Sequence, residues 1–443
     1  KKVFIGRQNQ LKNIQNIIVR SFNEHHNFIV YIAGEAGIGK TSLTAEVLNS
    51  LQGKKIRVFN ILCSFANPRP MDPLIQIFSQ LFPVNYNNQK TISSFHQSWI
   101  NWIKNEKGWK QDEDIISGLL GYADKESLFY NLHPDLRFNK IYQSAVKVLQ
   151  KETKRNPIII YIDDLHWMET QSRNFFQCLG KSEIKDLGII ATTRYLENDK
   201  IPTLDMDNFS FYRLDLAPLS KNYSWKLYKS LMNLGNVSTD LKQELLKRDT
   251  GNPFIIEQMA SYLFESGILH KYDDFKNIFE KINSFDVNDI IGFRIDRLSA
   301  SVRECIYNAS VLGMKFNLKV LNLMLERDIQ QDLLIGTQNR IWKSLEKDFY
   351  IFIHILLQEA AYNRMLSDKL KCLHLKAAQA IEKVYEQNIR PYTEEIAHHY
   401  ENAGEILKAS DFYDEAGDYY WDNSYFEVAE KCFLKAIDLA EKS

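Results

Sequence analysis

The chain has 443 residues, with 55 lysine and arginine against 56 aspartate and glutamate side chains, so its formal net charge is −1. A hydrophobic content of 45% and a charged content of 25% are those of an ordinary globular protein with about two to four domains. No apolar run approaches the ~20 residues of a membrane-spanning helix, and no signal peptide opens the chain. We therefore expect no membrane association.

Five cysteines are scattered along the chain and form no C-x-x-C pair, so neither a zinc site nor a disulfide framework is indicated. This cysteine usage predicts a reducing, cytoplasmic setting. The first residue is Lys1 rather than methionine, and a motif follows at once, which predicts a piece of a longer protein.

The sequence G-E-A-G-I-G-K-T at residues 34–41 is a complete G-x-x-x-x-G-K-[ST] phosphate-binding loop. It follows the apolar run 28–32 and precedes the helix-forming run 42–48, which is the strand, loop and helix context that the motif requires. Backbone N–H groups at a helix N-terminus bind anions, so this pattern predicts a nucleoside triphosphate site. Lys40 is predicted to reach the β- and γ-phosphates, and Thr41 to bind Mg²⁺. The predicted phosphate-binding residues are Gly34, Ala36, Gly37, Ile38, Gly39, Lys40, Thr41 and Ser42.

A second segment, P-I-I-I-Y-I-D-D at residues 157–164, is a buried-strand pattern that ends in two carboxylates, as a Walker B element does. Asp163 is predicted to hold the water shell of Mg²⁺, and Asp164 to polarise the attacking water. Two acids after a strand can also be plain turn residues. The phosphate loop upstream favours the catalytic interpretation.

A third apolar run, residues 187–193, ends at Arg194. A cation at the carboxyl end of a central strand lies where nucleotides bind in parallel α/β sheets, so Arg194 is a candidate sensor of the γ-phosphate. An arginine at a strand end can equally be an ordinary surface residue.

Strand-like and helix-like runs alternate up to about residue 216, which predicts a parallel α/β domain over residues 1–216. A helical insertion is expected over 84–135, with Trp99, Trp102 and Trp109 as core anchors and no chemistry of its own. The predicted strands are 28–33, 56–63, 158–163, 187–193 and 209–216.

After residue 216 the strand signal stops, and residues 217–285 are predicted to be helical, with Ser220 as a helix N-cap. Short helices followed by the strand-like run 348–353 suggest a winged helix over 286–368. Small residues paired with aromatics at helical spacing suggest tetratricopeptide-like repeats over 369–443.

With these motifs in place, nearly the whole chain resembles the STAND branch of the AAA+-like P-loop ATPases. More narrowly, it is similar to the ATPase module behind soluble adenylyl cyclase catalytic domains and in large multidomain bacterial kinases and regulators. The matching segments are F-I-G-R at 4–7, the phosphate loop, I-D-D-L-H-W at 162–167, A-T-T-R at 191–194, G-N-P-F at 251–254, R-I-D-R-L at 294–298 and F-I-H-I-L-L-Q-E-A-A-Y at 352–362.

The resemblance implies further roles for individual residues. Phe4, Ile5, Gly6 and Arg7 would wrap the adenine. Pro253, from a helical lid over 217–285, would pack against the base or ribose, and His354 would reach the ADP β-phosphate and hold a closed state. A lone histidine on an apolar segment is also often a core residue, which is the alternative for His354 and for His166.

The resemblance also implies a function: an ATP- and ADP-binding switch with slow Mg²⁺-dependent hydrolysis that controls an effector domain outside these residues. A protein or peptide would bind the repeat tail, and the nucleotide would govern self-association. A DNA-binding initiator or loader is the main alternative. Residues 286–350 carry nine acidic and nine basic side chains, and residues 391–443 carry thirteen acidic and four basic ones. This balance disfavours nucleic acid, because DNA binding requires basic side chains to neutralise phosphates. A sensor core of a defence protein is a third reading, which the sequence does not separate from the first.

Overall fold

The computed structural model describes residues 4–63, 70–83, 91–104, 106–123, 126–196, 199–232, 239–265, 287–346, 348–423 and 425–442. The chain forms two compact units. The sheet unit comprises Gly6–Glu35 and Gly39–Ala217. The helical unit comprises Lys1–Ile5, Ala36–Ile38 and Pro218–Ser443.

The sheet unit is built on five parallel strands in the order β2-β3-β4-β1-β5. Strands β1, β3 and β4 are apolar along almost their whole length and buried, as expected for parallel strands that are covered on both faces. All five predicted strands are present, with ends that differ by at most one residue, and the predicted α/β fold class is confirmed. The strands are β1 (Asn27–Ala33), β2 (Arg57–Leu62), β3 (Ile158–Asp163), β4 (Leu187–Thr193) and β5 (Phe209–Asp215).

Eight helices accompany these strands within the described residues, and three of them lie in the predicted helical insertion. Trp99, Trp102 and Trp109 of the insertion are buried, as expected. The rings of Trp99 and Trp102 lie 5.1 and 5.5 Å from that of Phe82, so the insertion has an aromatic core. The helices are α1 (Gln8–Asn23), α2 (Lys40–Asn49), α3 (Asp72–Leu81), α4 (Thr91–Ile103), α5 (Lys110–Leu119), α6 (Leu128–Asn131), α7 (Pro134–Thr153) and α8 (Thr170–Gly180).

The helical unit is mainly α-helical and includes one small antiparallel sheet in the order β6-β8-β7. Strand β8 was expected from the sequence, whereas the three-residue strand β6 was not. The elements are α9 (Lys221–Leu231), α10 (Thr239–Arg248), α11 (Pro253–Glu265), α12 (Val287–Asp296), α13 (Ala300–Val311), β6 (Lys315–Asn317), α14 (Leu318–Leu325), α15 (Gln330–Gln338), β7 (Trp342–Glu346), β8 (Phe349–Phe352), α16 (Ile355–Asn363), α17 (Ser367–Val384), α18 (Thr393–Ala403), α19 (Ile406–Asp422) and α20 (Phe426–Glu441).

The last four helices pack in sequence, each against the next, and small residues lie where they meet. Ala409, Ala416 and Ala429 are fully buried. At Gly417 an added Cβ would lie 2.4 Å from the ring of Phe433, so this position requires glycine. Across the described residues, no helix has both the length and the apolarity to span a bilayer.

A buried histidine pair joins helices α17 and α18. His374 Nδ1 and His399 Nδ1 are 2.9 Å apart, and the hydroxyl of Tyr362 lies 2.9 Å from His374 Nε2. Burial, and then the nearby His398, lower the pKa of His374 to about 4. Burial, followed by His374 and His398, also holds the pKa of His399 well below its ordinary value. Both rings are therefore neutral at pH 7, which lets one nitrogen donate and the other accept.

This pair makes the stability of the chain depend on pH. An unfolded histidine has a pKa of about 6.5, so between that pH and about 4 the unfolded chain binds protons that the folded chain does not. Stability is therefore fully present above about pH 6.5 and falls as the pH is lowered through this window, by at most about 1.4 kcal/mol per pH unit and per histidine. We expect calorimetric melting temperatures to fall between pH 7 and pH 5. The double variant His374→Leu/His399→Leu is expected to flatten this fall, whereas His26→Leu, at an exposed ring, is not. An unchanged pH dependence in the double variant would contradict the assignment.

Candidate phosphate and magnesium site

The predicted phosphate loop connects β1 to α2. Strand β1 is buried throughout, and α2 begins at Lys40, directly after Gly39. Gly39 has a φ of 99°, in the left-handed region that favours glycine. The chain can therefore turn sharply from the buried strand into the helix, so that the first-turn N–H groups of α2 open onto the loop.

Lys40 is the buried cation of this loop, with only 7% of the residue exposed. Its Nζ donates to the carbonyl oxygens of Gly34 and Glu35 at 2.8 and 2.9 Å. Burial lowers the pKa of Lys40 to about 8, while the charge of Asp164 acts in the opposite direction. The ammonium is therefore mostly protonated at neutral pH and is held inside the loop that would receive a phosphate.

Asp163, the last residue of β3, is held by two hydroxyl groups. Thr41 Oγ1 donates to Asp163 Oδ1 at 3.3 Å, and Thr192 Oγ1 donates to the same oxygen at 2.5 Å. Burial, and then the charge of Asp164, raise the pKa of Asp163, while the bond from Thr192 opposes this. The structure thus brings together Thr41 and Asp163, the two residues predicted to serve the metal.

Asp164 follows in a left-handed conformation with φ 58°, which aspartate tolerates better than most residues. Its N–H donates to Thr192 Oγ1 at 2.9 Å. Burial raises the pKa of the Asp164 carboxyl, and the charges of Arg194 and Lys40 oppose that rise. The carboxylate is therefore placed among cations and beside Asp163.

Arg194 lies half-buried directly after β4. Its positive charge acts on Lys40, Asp164 and His166, so it belongs to the same cluster of charges. The sequence prediction that Arg194 faces the site is consistent with these interactions. Whether it contacts a γ-phosphate stays a prediction.

The middle of the phosphate loop, Ala36–Ile38, belongs to the helical unit. Asn252 Nδ2 donates to the Ala36 carbonyl at 2.9 Å, and the N–H of Phe254 donates to the Gly37 carbonyl at 3.2 Å. A Cβ on Gly37 would lie 2.7 Å from Phe254 Cβ and 2.8 Å from Asn252 Oδ1. Gly37, with φ 77°, is therefore required both by its backbone conformation and by these neighbours.

The adenine residues implied by the resemblance make protein contacts. The side chain of Ile5 packs against the apolar cluster around Leu219 and Ile256. Arg7 is buried and its Nη2 donates to the Ala217 carbonyl at 2.6 Å, while burial lowers its pKa. Phe4 is half-buried, and Gly6 has a φ of 81°. Their roles toward a base stay predictions.

Pro253 and His354 also have defined positions. Pro253 is the first residue of α11, where its missing N–H has no cost. His354 is the N-cap of α16, where its Nδ1 accepts from the Leu356 N–H at 3.2 Å. Its ring stacks on that of Phe254, with 4.0 Å between ring centroids. His354 thus contacts Phe254, the residue whose N–H donates to the Gly37 carbonyl.

Sequence reasoning missed two site residues. Thr192 bridges Asp163 and Asp164, and Asn252 holds the loop at Ala36. Both lie inside quoted motifs, A-T-T-R and G-N-P-F, but a threonine in a strand and an asparagine before a proline have common structural explanations. Their roles depend on which strands and loops are neighbours in space, which the motifs alone do not state.

The residues present fit Mg²⁺ and a triphosphate. No group of three or more histidine, cysteine, aspartate or glutamate side chains in the described ranges could hold a metal ion by itself. Mg²⁺ is commonly bound by one or two protein groups together with phosphate oxygens and water, and Thr41 with Asp163 is such a pair. When bound, Mg²⁺ neutralises phosphate charge. Lys40 would hold the phosphates, and Asp164 would orient the water.

Comparison with known proteins gives the class of the domain that carries this site. Residues 3–190 match the AAA ATPase domain family, and this part of the chain is an AAA-type P-loop ATPase domain. In fold, the whole chain is similar to a Signal Transduction ATPase with Numerous Domains (STAND) protein with a tetratricopeptide repeat sensor from Pyrococcus horikoshii. The TM-score is 0.50 at 16% identity, over 100% of this chain and 58% of that one.

Two further proteins are similar to this chain. An uncharacterized protein of Rhizobium meliloti is 23% identical over 98% of this chain and 42% of its own length. The Cdc6p structure of Pyrobaculum aerophilum covers 82% of this chain and 94% of its own at 13% identity, with a TM-score of 0.36, which is too low to support an argument. The present chain spans about half the length of the first two relatives.

The phosphate site is tested by Lys40→Ala. A charge-assisted hydrogen bond contributes roughly 1.5–3 kcal/mol, so we expect Mg²⁺-ATP binding to weaken by at least about 10-fold in calorimetry. Lys55→Ala, at an exposed lysine that precedes β2, is the control and should bind as the wild type does. Unchanged affinity in Lys40→Ala would show that the site is assigned wrongly.

The predicted catalytic role of Asp164 is tested by Asp164→Asn. Because this change removes the group that would polarise the attacking water, we expect ATP hydrolysis to fall by about 100-fold or more while ATP binding persists. Asp215→Asn changes a carboxylate at the same end of another strand, β5, and is expected to retain hydrolysis. Equal rates in Asp164→Asn and the wild type would remove Asp164 from the reaction.

Proposed function

We propose that this chain is the nucleotide switch of a STAND-type signal-transduction ATPase, with slow Mg²⁺-dependent ATP hydrolysis. In this proposal it alternates between an ADP-bound and an ATP-bound state and controls an effector domain outside these residues. The ATPase domain and the similarity in fold support the general class. The switch role depends on how the helical part of the chain responds to the phosphate loop.

One observation carries the proposal: Ala36–Ile38 of the phosphate loop pack as part of the helical unit. Asn252 and Phe254 hydrogen-bond to the loop carbonyls of Ala36 and Gly37. A phosphate that changes the loop backbone would therefore change these two bonds. A dedicated hydrolase has no need of such a connection, whereas a switch requires one.

The proposal assigns the helical part in three sections. Residues 217–285 would be the lid and residues 286–368 a winged helix, with helices α14 and α15 in contact with strands β6 and β7 of the sheet β6-β8-β7. Residues 369–443 would be tetratricopeptide-like repeats that bind a protein or peptide signal. The net charge of −9 over residues 391–443 favours a basic partner and disfavours DNA. The five free cysteines fit a cytoplasmic setting.

A switch of this kind obeys a thermodynamic condition. A nucleotide shifts a two-state equilibrium only by the difference between its affinities for the two states. We propose that ADP favours a closed monomer, and that ATP together with a signal favours self-association. Light scattering of the chain with ADP and with a non-hydrolysable ATP analogue, each with an activating partner, tests this. Identical mass in both would argue against nucleotide-dependent assembly.

His354 offers a sharper test within the chain. Its ring stacks on that of Phe254, whose N–H donates to the Gly37 carbonyl. His354→Ala is therefore expected to weaken the hydrogen bond between Phe254 and Gly37. If the histidine also donates to the ADP β-phosphate, a bond of roughly 1.5–3 kcal/mol is lost in the closed state alone. We therefore expect ADP affinity to fall about 10- to 150-fold by calorimetry, with ATP affinity nearly intact.

The control is Tyr350→Leu, which removes another stacked ring, packed on Phe316 in the small sheet. It is expected to lower the melting temperature without changing the ratio of ADP to ATP affinity. Should His354→Ala weaken both nucleotides equally and lower the melting temperature in the same way, His354 is a core residue and the switch role assigned to it fails.

A further inference from the structure

His166 is a buried imidazole beside the catalytic carboxylate. It lies in the short 3-10 turn Leu165–Trp167 that follows Asp164, and only 8% of its side chain is exposed. Its Nδ1 is 3.9 Å from Asp164 Oδ1. Neither ring nitrogen has a hydrogen-bond partner within the described part of the chain. A buried polar ring in this state is unusual and calls for a physical reason.

The surroundings keep this ring neutral. Burial, followed by the positive charges of Arg194 and Lys40, lowers the pKa of His166 to about 4. A neutral imidazole carries one N–H donor and one acceptor nitrogen. The Asp164 carboxylate, whose Oδ1 lies 3.9 Å from Nδ1, can only accept, so the imidazole would be the donor.

The other buried histidines of the chain behave differently. His374 is bonded to Tyr362 and to His399, so its polar atoms are satisfied and its role is explained by packing. The side chain of His166 is also largely buried, at 8% exposed, but it lies beside the reacting carboxylate with both nitrogens unbonded. Packing alone does not account for a polar ring at this position, because an apolar side chain of similar volume would avoid the desolvation.

We propose that His166 is a positioning residue for ATP hydrolysis, in which Nδ1–H donates to the Asp164 carboxylate and fixes the direction in which that carboxylate accepts a proton from water. This inference rests on the hydrolysis assigned to the site. Nδ1 and the carboxylate oxygen, 3.9 Å apart, would have to approach by about 1 Å to reach hydrogen-bond distance. The Nδ1–H tautomer is then required, with Nε2 as the acceptor.

Three substitutions at this position separate the roles. In His166→Leu the donor is lost while the volume is kept. In His166→Asn the side-chain amide nitrogen can take the position of the histidine Nδ1. In His166→Gln the amide nitrogen can take the position of the histidine Nε2. Outer partners that orient a functional group commonly carry 10- to 100-fold of its activity. We therefore expect kcat to fall about 10- to 100-fold in the leucine and glutamine variants and to be largely restored in the asparagine variant.

The affinity for Mg²⁺-ATP, measured by calorimetry on the whole chain, is expected to stay within about 3-fold of the wild type in all three variants. His374→Leu is the matched control: it is expected to lower the melting temperature and leave kcat unchanged. A wild-type kcat in His166→Leu would overturn the proposal. So would equal losses in the asparagine and leucine variants, or losses of kcat, affinity and melting temperature in parallel.

A second readout does not need turnover. The chain has ten histidines, and a ¹⁵N-histidine sample compared with His166→Gln assigns the His166 nitrogens. With a non-hydrolysable ATP analogue and Mg²⁺ bound, we expect the Nδ1–H tautomer, and an Nε2–H tautomer would refute the inference. If the wild type bound no nucleotide at all, the proposed function would fail, and this inference with it. Normal binding with the wrong tautomer would overturn only this one.

Discussion

The candidate site depends on the two hydrogen bonds that the hydroxyl group of Thr192 makes. The hydroxyl donates to the Asp163 carboxylate and accepts from the backbone N–H of Asp164, so it holds one carboxylate and the backbone of the next residue at the end of β3. Burial raises the pKa of both carboxylates, and at Asp163 the neighbouring charge of Asp164 adds to the rise. The cations Lys40 and Arg194 offset part of this cost. The site is therefore a balance of partly buried charges, in which Thr41 and Thr192 both donate to Asp163.

The position of that threonine follows from strand order. Strands β3 and β4 are adjacent and parallel, with Ile162 opposite Ala191, so the next residues along each strand, Asp163 and Thr192, end side by side. The sequence predicts both strands and both carboxylates, because long apolar runs and a phosphate loop are strong local signals. It does not predict which strands are neighbours, since parallel pairing depends on contacts between distant segments. Thr192 could not be assigned a role for this reason, and Asn252 could not because its contact with Ala36 joins residues 216 positions apart.

The small sheet of the helical unit shows the other limit of sequence reasoning. Strand β6 has only three residues, and Phe316 is its single buried apolar side chain. A single apolar residue cannot form an alternating pattern, so the sequence carries no periodicity from which this strand could be predicted. The strand exists because β8 offers it a partner and because Phe316 packs on Trp342 and Phe352. Tertiary contacts, rather than local preference, define this strand, and they do so wherever an element is short.

Neighbouring residues of the phosphate loop are held by two different sets of hydrogen bonds, and a regulatory ATPase would use this arrangement. Lys40 is tied to the loop carbonyls of Gly34 and Glu35, while Ala36 and Gly37 are tied to Asn252 and Phe254. A phosphate that competes for Lys40 releases the first pair of bonds. If it also changes the backbone of the consecutive residues Ala36 and Gly37, the free energy of phosphate binding is shared with the contacts made by Asn252 and Phe254. A nucleotide whose phosphates alter these bonds in only one of two states would bias the chain toward that state, as linkage requires.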